Sequence, residues 1–347
     1  MWIVGGIGDK TLAKTKQVGS VVGAKQNTKS PPPWLAFCQL VRLPNVFTVI
    51  SNVAMGYAFV YQNHAPLYGL VPLLVSSIAL YWAGMVMNDV CDVEIDQQQR
   101  PERPLPSGRF SLELARKLAW WLLIGGVVAG AAAGLISPWA GCRFRSGVIA
   151  LVLAAVVWAY NQRLKHTPFG VVAMGACRFF NVLLGMSLSV KADGPSWLLS
   201  FDSSELLVAC AIGVYVVGVS IVAKSEAETS SRRNLTAGLL VMVAGMAMLA
   251  AFPTLGNFVT YRQTVFSNDY VWPLLILLLA FSVVRRVAEA IVQPKPAFVQ
   301  EAVKLSIFTM IVLDASLALA TQGPFVGVAI LALLLPANYL GQYIYST

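Results

Sequence analysis

Ten apolar runs separated by polar breaks set the pattern of this chain: residues 46–62, 69–88, 118–137, 147–160, 169–190, 205–223, 235–252, 271–291, 303–321 and 325–343. Each is close to the ~20 residues a helix needs to cross a bilayer, except 147–160, which is short. Lipid offers no partner to an open backbone, so runs of this kind predict helices. The expected fold is an all-α integral membrane protein. Ahead of the first run, residues 1–33 are Gly-, Ser- and Lys-rich and end in Pro31-Pro32-Pro33, which predicts a disordered basic cytosolic tail. Met1 to Ile7 is too short and too uncharged for a signal peptide. Residues 34–347 are expected to form a single polytopic transmembrane domain, entered through an amphipathic stretch from Trp34 to Asn45.

Composition agrees with the pattern. The chain has 347 residues, 57% hydrophobic and 12% charged, with a mean hydropathy of +0.68. That is too little charge to cover a soluble domain. The net charge of +9 does not call for nucleic acid, because excess Lys and Arg in a membrane chain mark cytoplasmic loops. With the N-terminus inside, 20 Lys and Arg fall on inside segments and four (Arg143, Arg145, Lys191 and Arg262) outside. This asymmetry places the chain in the cytoplasmic membrane with its N-terminus and the loop after residue 88 on the cytoplasmic side. The five cysteines are dispersed, without C-x-x-C or disulfide-framework spacing, and the two histidines are too far apart in sequence to suggest zinc.

Candidate chemistry begins where the second run ends. Asn88, Asp89, Asp92, Glu94 and Asp96 follow it, and Arg100-Pro-Glu-Arg103-Pro-Leu-Pro-Ser-Gly-Arg109 comes next. On a helix, Asp89, Asp92 and Asp96 fall within about 60° of one another, Asn88 about 40° further round, and Glu94 on the other side. Asp89 to Asp96 covers about 10 Å of rise. Carboxylates at two heights can hold hard cations, and Mg²⁺ takes one or two carboxylates together with substrate phosphates. The spacing therefore points to a diphosphate bound through magnesium at a membrane surface. The bland alternative, an ordinary solvated loop, gives no reason for the acids to share a face.

Residues 88–109 resemble the first aspartate-rich motif of the UbiA superfamily of intramembrane prenyltransferases, N-D-x-x-D-x-x-x-D followed by an R-P-L-P-S-G-like segment. With Leu40-Val-Arg-Leu-Pro-Asn45 before the first span, the sequence looks most like the branch linked to Ebo-type gene clusters. The resemblance covers the chain from about Trp34 through the seventh span. It implies a UbiA-like bundle of nine or ten transmembrane helices that moves a polyprenyl group from its diphosphate to an aromatic or other lipid-soluble acceptor, with Mg²⁺ as cofactor. Asp89, Asp92 and Asp96 are then metal ligands and Asn88 a neutral donor, the four together forming the catalytic set. Arg100 and Arg103 contact phosphate or balance the acids. Tyr160, Arg163 and Lys165 match the family's tyrosine-and-lysine segment at the end of the fourth span, which implies a Tyr160 hydrogen bond at the cavity mouth and Arg163 or Lys165 meeting the diphosphate; interfacial anchoring is the other explanation.

Polar groups inside spans need a reason. Arg178 and Asn181 lie one turn apart in the fifth run, and Asp314 lies in the ninth. Arg178 and Asn181 are expected to bind substrate, Arg178 through an anion, unless Arg178 instead neutralises Asp314. The family's second aspartate-rich motif, D-x-x-x-D after the sixth span, is not matched: residues 223–233 contain no aspartate, and Glu226 and Glu228 are the nearest substitutes. Two other functions stay open. The chain can be a non-catalytic UbiA-like partner that binds prenyl lipids, or a transporter. The first is favoured by the altered second motif and the second by Arg178 and Asp314.

Overall fold

A computed structural model describes residues 33–61, 67–137, 142–189, 201–224, 231–255 and 270–344. The basic tail, and with it the expectation of disorder, lies outside the described residues, as do Glu226 and Glu228. Pro33–Thr347 is one compact unit.

The helices run α1 (Pro33–Leu40), a 3₁₀ turn (Leu43–Asn45), α2 (Val46–Val60), α3 (Leu67–Cys91), α4 (Val93–Gln99), α5 (Leu112–Ile136) and α6 (Arg145–Ala159). A π-turn (Tyr160–Leu164) extends α6; then follow α7 (Gly170–Met186), α8 (Ser203–Ala223), α9 (Arg232–Leu255), α10 (Val271–Val292), α11 (Pro296–Gln322), α12 (Pro324–Leu331) and α13 (Leu334–Tyr343). All ten apolar runs become helix. Eight helices among the described residues are long and apolar enough to cross a membrane, and α7 is a shorter apolar one. The short run 147–160 reaches 20 residues, Arg145–Leu164, because the π-turn carries the helix on. The last run is split at Ala332–Leu333, where Pro336 cannot donate a backbone hydrogen bond to Ala332.

Outward faces are apolar. On α10, Leu274, Leu277, Leu278 and Phe281 are all exposed, a stripe at helical spacing, while Trp272, Ile276, Val283 and Val287 point inward. A water-soluble fold does not leave such stripes uncovered; a lipid-facing one must. Inside, one large core runs through the bundle. A second, small core joins Leu40 and Val41 to Val86, Met87, Leu105, Ala115 and Ala119. It sits where α3 ends and pins the 100–110 loop against α1 and α5.

Helices α2 and α7 cross closely. A Cβ at Gly56 would stand 2.6 Å from Val182 O, and one at Gly185 would stand 2.5 Å from Val53 O. Glycine at both points lets the backbones meet, which brings Arg178 and Asn181 of α7 against α2. Away from the acidic motif, at the start of α6, the fully buried Arg145 is not a loop charge. Its Nη1 donates to Ser189 O (3.3 Å) and Oγ (2.8 Å), and its guanidinium lies 5.2 Å from the Phe201 ring centre.

Candidate active site

The acidic motif straddles a turn. Helix α3 ends at Cys91, Asp92 turns, and α4 begins at Val93, yet the backbone bonds Asp92 N–H to Asn88 O (3.0 Å) and Asp96 N–H to Asp92 O (2.8 Å) keep a near-helical path. The expected shared face is therefore largely kept. Asp89 and Asp96 are buried, Asp92 is half-buried and Glu94 is exposed. The turn splits the carboxylates into two groups. Asp89 and Asp96 share Arg103, whose Nη1 lies 3.7 Å from Asp89 Oδ1 and 2.7 Å from Asp96 Oδ2. Asp92 pairs with Lys165, which also donates to Asn88 Oδ1 at 2.8 Å. Asn88 Nδ2 joins the groups, at 3.5 Å from Asp89 Oδ1 and 3.3 Å from Asp92 Oδ2.

Lys165 reaches this position through the π-turn. Its N–H bonds to Tyr160 O (2.9 Å), a residue further back than in an α-helix. Such turns re-aim side chains and recur at functional sites. Asn161, buried beneath, ties the turn to α3 and α6 by donating to Gly84 O (3.4 Å) and Val157 O (2.9 Å).

Below the motif lies a cavity of about 80 Å³. Helix α3 lines it with Ser77, Leu80, Tyr81, Gly84 and Met85, so that Asn88 and Asp92 continue the same face one and two turns on. Tyr160 and Asn161 line it from the π-turn, and Arg178 and Asn181 from α7. Arg178 Nη1 donates to Asn52 Oδ1 (3.2 Å) and Nη2 to Thr48 Oγ1 (2.9 Å). Asn52 Nδ2 donates to Asp314 Oδ2 (2.7 Å), as does Ser51 Oγ (2.6 Å). The anticipated Arg178–Asp314 pair is thus relayed through Asn52. Asn181 accepts from Ser77 Oγ (2.6 Å) and donates to Val49 O (3.1 Å), bracing α7 against α2 and α3.

Two further anticipated residues stand apart from this constellation. Arg100 is half-buried at the end of α4 and Arg163 is exposed. The sequence reading missed Arg42 as a site residue; its Nη2 is 3.6 Å from Asp89 Oδ1. It also missed Tyr81, although Ser77, Tyr81, Gly84 and Asn88 form a stripe at helical spacing that leads into the motif.

The donor chemistry fits a hard cation. Carboxylate and amide oxygens converge on two positions, each already taken by a positive nitrogen of Arg103 or Lys165. Among the described residues no three Asp, Glu, His or Cys side chains gather closely enough to hold an ion alone. An ion here would complete its shell with oxygens from a ligand, as Mg²⁺ does beside phosphates.

Residues 49–299 match the UbiA prenyltransferase family. The chain belongs to that family. Among curated relatives it is similar to the digeranylgeranylglyceryl phosphate synthase of Sulfolobus acidocaldarius, 35% identical over 46% of this chain and 52% of that protein. It is also similar to the synthase of the same name from Saccharolobus solfataricus, 38% identical over 47% of this chain and 54% of that protein. The chain therefore spans about half the length of these curated relatives. Of solved structures, a UbiA homologue from Archaeoglobus fulgidus bound to DMAPP and Mg²⁺ superposes with a TM-score of 0.59 at 13% identity, over 86% of this chain and 99% of that one. A structure of digeranylgeranylglyceryl phosphate synthase gives 0.56 at 18% identity, over 86% and 99%. These two structural likenesses are likenesses of fold. Together with the family match they make this UbiA-family chain an all-helical membrane protein.

Proposed function

We propose that this protein is a Mg²⁺-dependent intramembrane prenyltransferase that moves a polyprenyl group from its diphosphate to a lipid-soluble acceptor. The observation that carries the reading is the continuity of one helix face: the oxygen-rich motif at the end of α3 leads directly into a cavity walled by Val49, Leu80, Met85, Leu153, Val157 and Met174. A charged head and an apolar chain on one substrate need that arrangement. Transfer breaks the allylic C–O bond and the electron pair leaves with the diphosphate; the acceptor's nucleophilic atom supplies the pair for the new bond and gives up its proton to the released diphosphate or to water. Magnesium, when bound, neutralises the charge that builds on the leaving group.

Each residue then has a task. Asp89, Asp92 and Asp96 are the metal ligands, Asn88 a hydrogen-bonding partner to them and to phosphate. Lys165 and Arg103 add positive charge beside the leaving group, with Arg100 and Arg163 nearer the surface, where they attract the incoming diphosphate. Apolar walls keep water from the allylic cation. Tyr160 offers a hydroxyl at the cavity mouth, Arg178 a cation for an acidic acceptor head, and Asn181 a brace that holds α7 in register. Glu226 and Glu228 remain the candidates for the opposite half of the clamp.

The synthases similar to this chain are named for digeranylgeranylglyceryl phosphate, which makes a glyceryl phosphate lipid a candidate acceptor beside an aromatic one. Kinship with the branch linked to Ebo-type gene clusters rests on the Leu40–Asn45 and 88–109 segments. The positive-charge asymmetry supports a cytoplasmic-membrane protein whose N-terminus and motif face the cytoplasm, with residues 34–347 as one polytopic domain behind a basic tail. The test is transfer from labelled prenyl diphosphates of several lengths into membrane lipid and aromatic extracts, with the product identified by mass. A labelled product that requires Mg²⁺ supports the proposal. Tight prenyl diphosphate binding with no product under any condition would favour the non-catalytic lipid-binding partner instead.

A further inference from the structure

Three polar residues share one face of α2. Asn52 and Ser51 stand four and three positions after Thr48, the spacing that stacks side chains on a helix. All three are fully buried within a span long and apolar enough to cross a membrane, as is Asp314 within another. Polar groups at that depth are costly and persist by bonding to one another. Asp314 Oδ2 accepts from Ser51 Oγ and Asn52 Nδ2, while Asn52 Oδ1 accepts from Arg178 Nη1. Thr48 donates its hydroxyl to Asn45 O at 2.8 Å, which leaves its oxygen to accept from Arg178 Nη2.

The Asn52 amide fits this chain in one orientation. A guanidinium only donates and a carboxylate only accepts, so the amide oxygen must meet Arg178 and the amide nitrogen Asp314. Asp314 therefore sets the amide, and the amide sets one edge of Arg178. Direct contact would cancel the cation within its own pair; across an amide the attraction is weaker. Among the described residues, the bonds to α2 engage two of the five guanidinium N–H groups. Arg178 also lines the cavity below the motif, beside Cys177 and Asn181. The cavity wall thus carries the cation of this chain and not its counter-ion.

Resting on the function proposed above, we infer that the acceptor carries an anionic head, a carboxylate or a phosphate, and that Asp314 and Asn52 are positioning residues that aim Arg178 at it. Asp314 does not touch the acceptor. It holds the Asn52 amide so that one edge of Arg178 is fixed toward α2 and the rest of the guanidinium is presented to the cavity. Helix α11 thereby acts on the acceptor through α2 and α7.

Equilibrium binding to the purified full chain in detergent tests this with two matched pairs of probes. One pair is a hydroxybenzoate and its methyl ester; the other is a prenylglyceryl phosphate and the same lipid without its phosphate. Wild type is expected to favour the charged member of one pair about tenfold, the scale of one charge-assisted hydrogen bond. Which pair shows it tells an aromatic carboxylate from a lipid phosphate. Arg178→Gln, Asn52→Leu and Asp314→Leu should erase most of that preference while binding the neutral member as wild type does. Asp314→Asn, which still offers Asn52 an oxygen, should keep it. Should Asp314→Leu fail to fold, Asn52→Leu decides. Equal weakening of both members of a pair, or a preference unchanged in the leucine variants, overturns the positioning role. Wild-type binding that ignores charge in both pairs overturns the anionic acceptor and leaves transfer to a neutral one to be judged by product mass.

Discussion

Charge is handled in two ways within one bundle. At the end of α3, acids and bases touch directly, and their side chains are 7–25% exposed. Between α2, α7 and α11, Arg178 and the fully buried Asp314 are bridged by Asn52. The difference follows from what can replace a partner. At the motif a ligand or water can take either side of an ion pair, so a direct pair is easily exchanged. At Asp314, deep among the helices, nothing arrives to replace it, and the Ser51 hydroxyl and Asn52 amide hold the charge in place. The first cluster is suited to turnover and the second to placement. Asp314 Oδ1 lacks a hydrogen-bond partner among the described residues, so the inner cluster has little to spare.

Substitutions can break this contrast, beginning with the largest effect. Asp92→Asn should lower kcat by about 10²- to 10³-fold, the scale for losing a group that stabilises a developing charge. Its melting temperature should stay close to wild type, because Lys165 and Asn88 are solvent-accessible enough to rehydrate. Asp314→Ala should do the reverse. It strands Ser51, Asn52 and the relayed charge of Arg178, and should cost about 2–4 kcal/mol of stability, read by thermal unfolding in detergent. Pairing it with Arg178→Met sharpens the point, since replacing both buried charges by apolar groups is often near neutral: melting should recover while acceptor turnover does not. Gly185→Val tests the crossing that carries Arg178 to α2. Its side chain would enter the space at Val53 O, and about 1–3 kcal/mol of overpacking strain is expected with reduced folded yield. Lys117→Ala, which removes the exposed Glu113–Lys117 pair, should change stability by less than about 0.5 kcal/mol.

Much of this was legible in the sequence because lipid leaves few choices. Each apolar run had to become a helix, and each did. The motif's face was legible for the same reason, since three aspartates at spacings of three and four share one side whether or not a turn interrupts them. What could not be read was pairing at long range. Lys165 meets Asp92 only because a π-turn re-aims it, and Arg42 meets Asp89 only because its backbone turns left-handed. Neither departure has a sequence signature in Tyr160-Asn-Gln-Arg-Leu164 or in Arg42-Leu-Pro-Asn45. The Arg178–Asp314 pair was visible as two charges that needed company, but the Asn52 relay depends on how α2 crosses α7. Likewise, the stripe Ser77, Tyr81, Gly84 and Asn88 was present in the sequence, and its meaning appeared only when α6 and α7 closed a cavity over it.

The most direct measurement is pyrophosphate release by purified protein supplied with a prenyl diphosphate and a membrane lipid extract, with and without Mg²⁺, for wild type and Asp92→Asn at equal folded yield. Release by wild type that requires both the metal and the extract, and is lost in the variant, is the predicted result. Release unaffected by chelation or by Asp92→Asn would show that the acidic end of α3 is not where the chemistry happens.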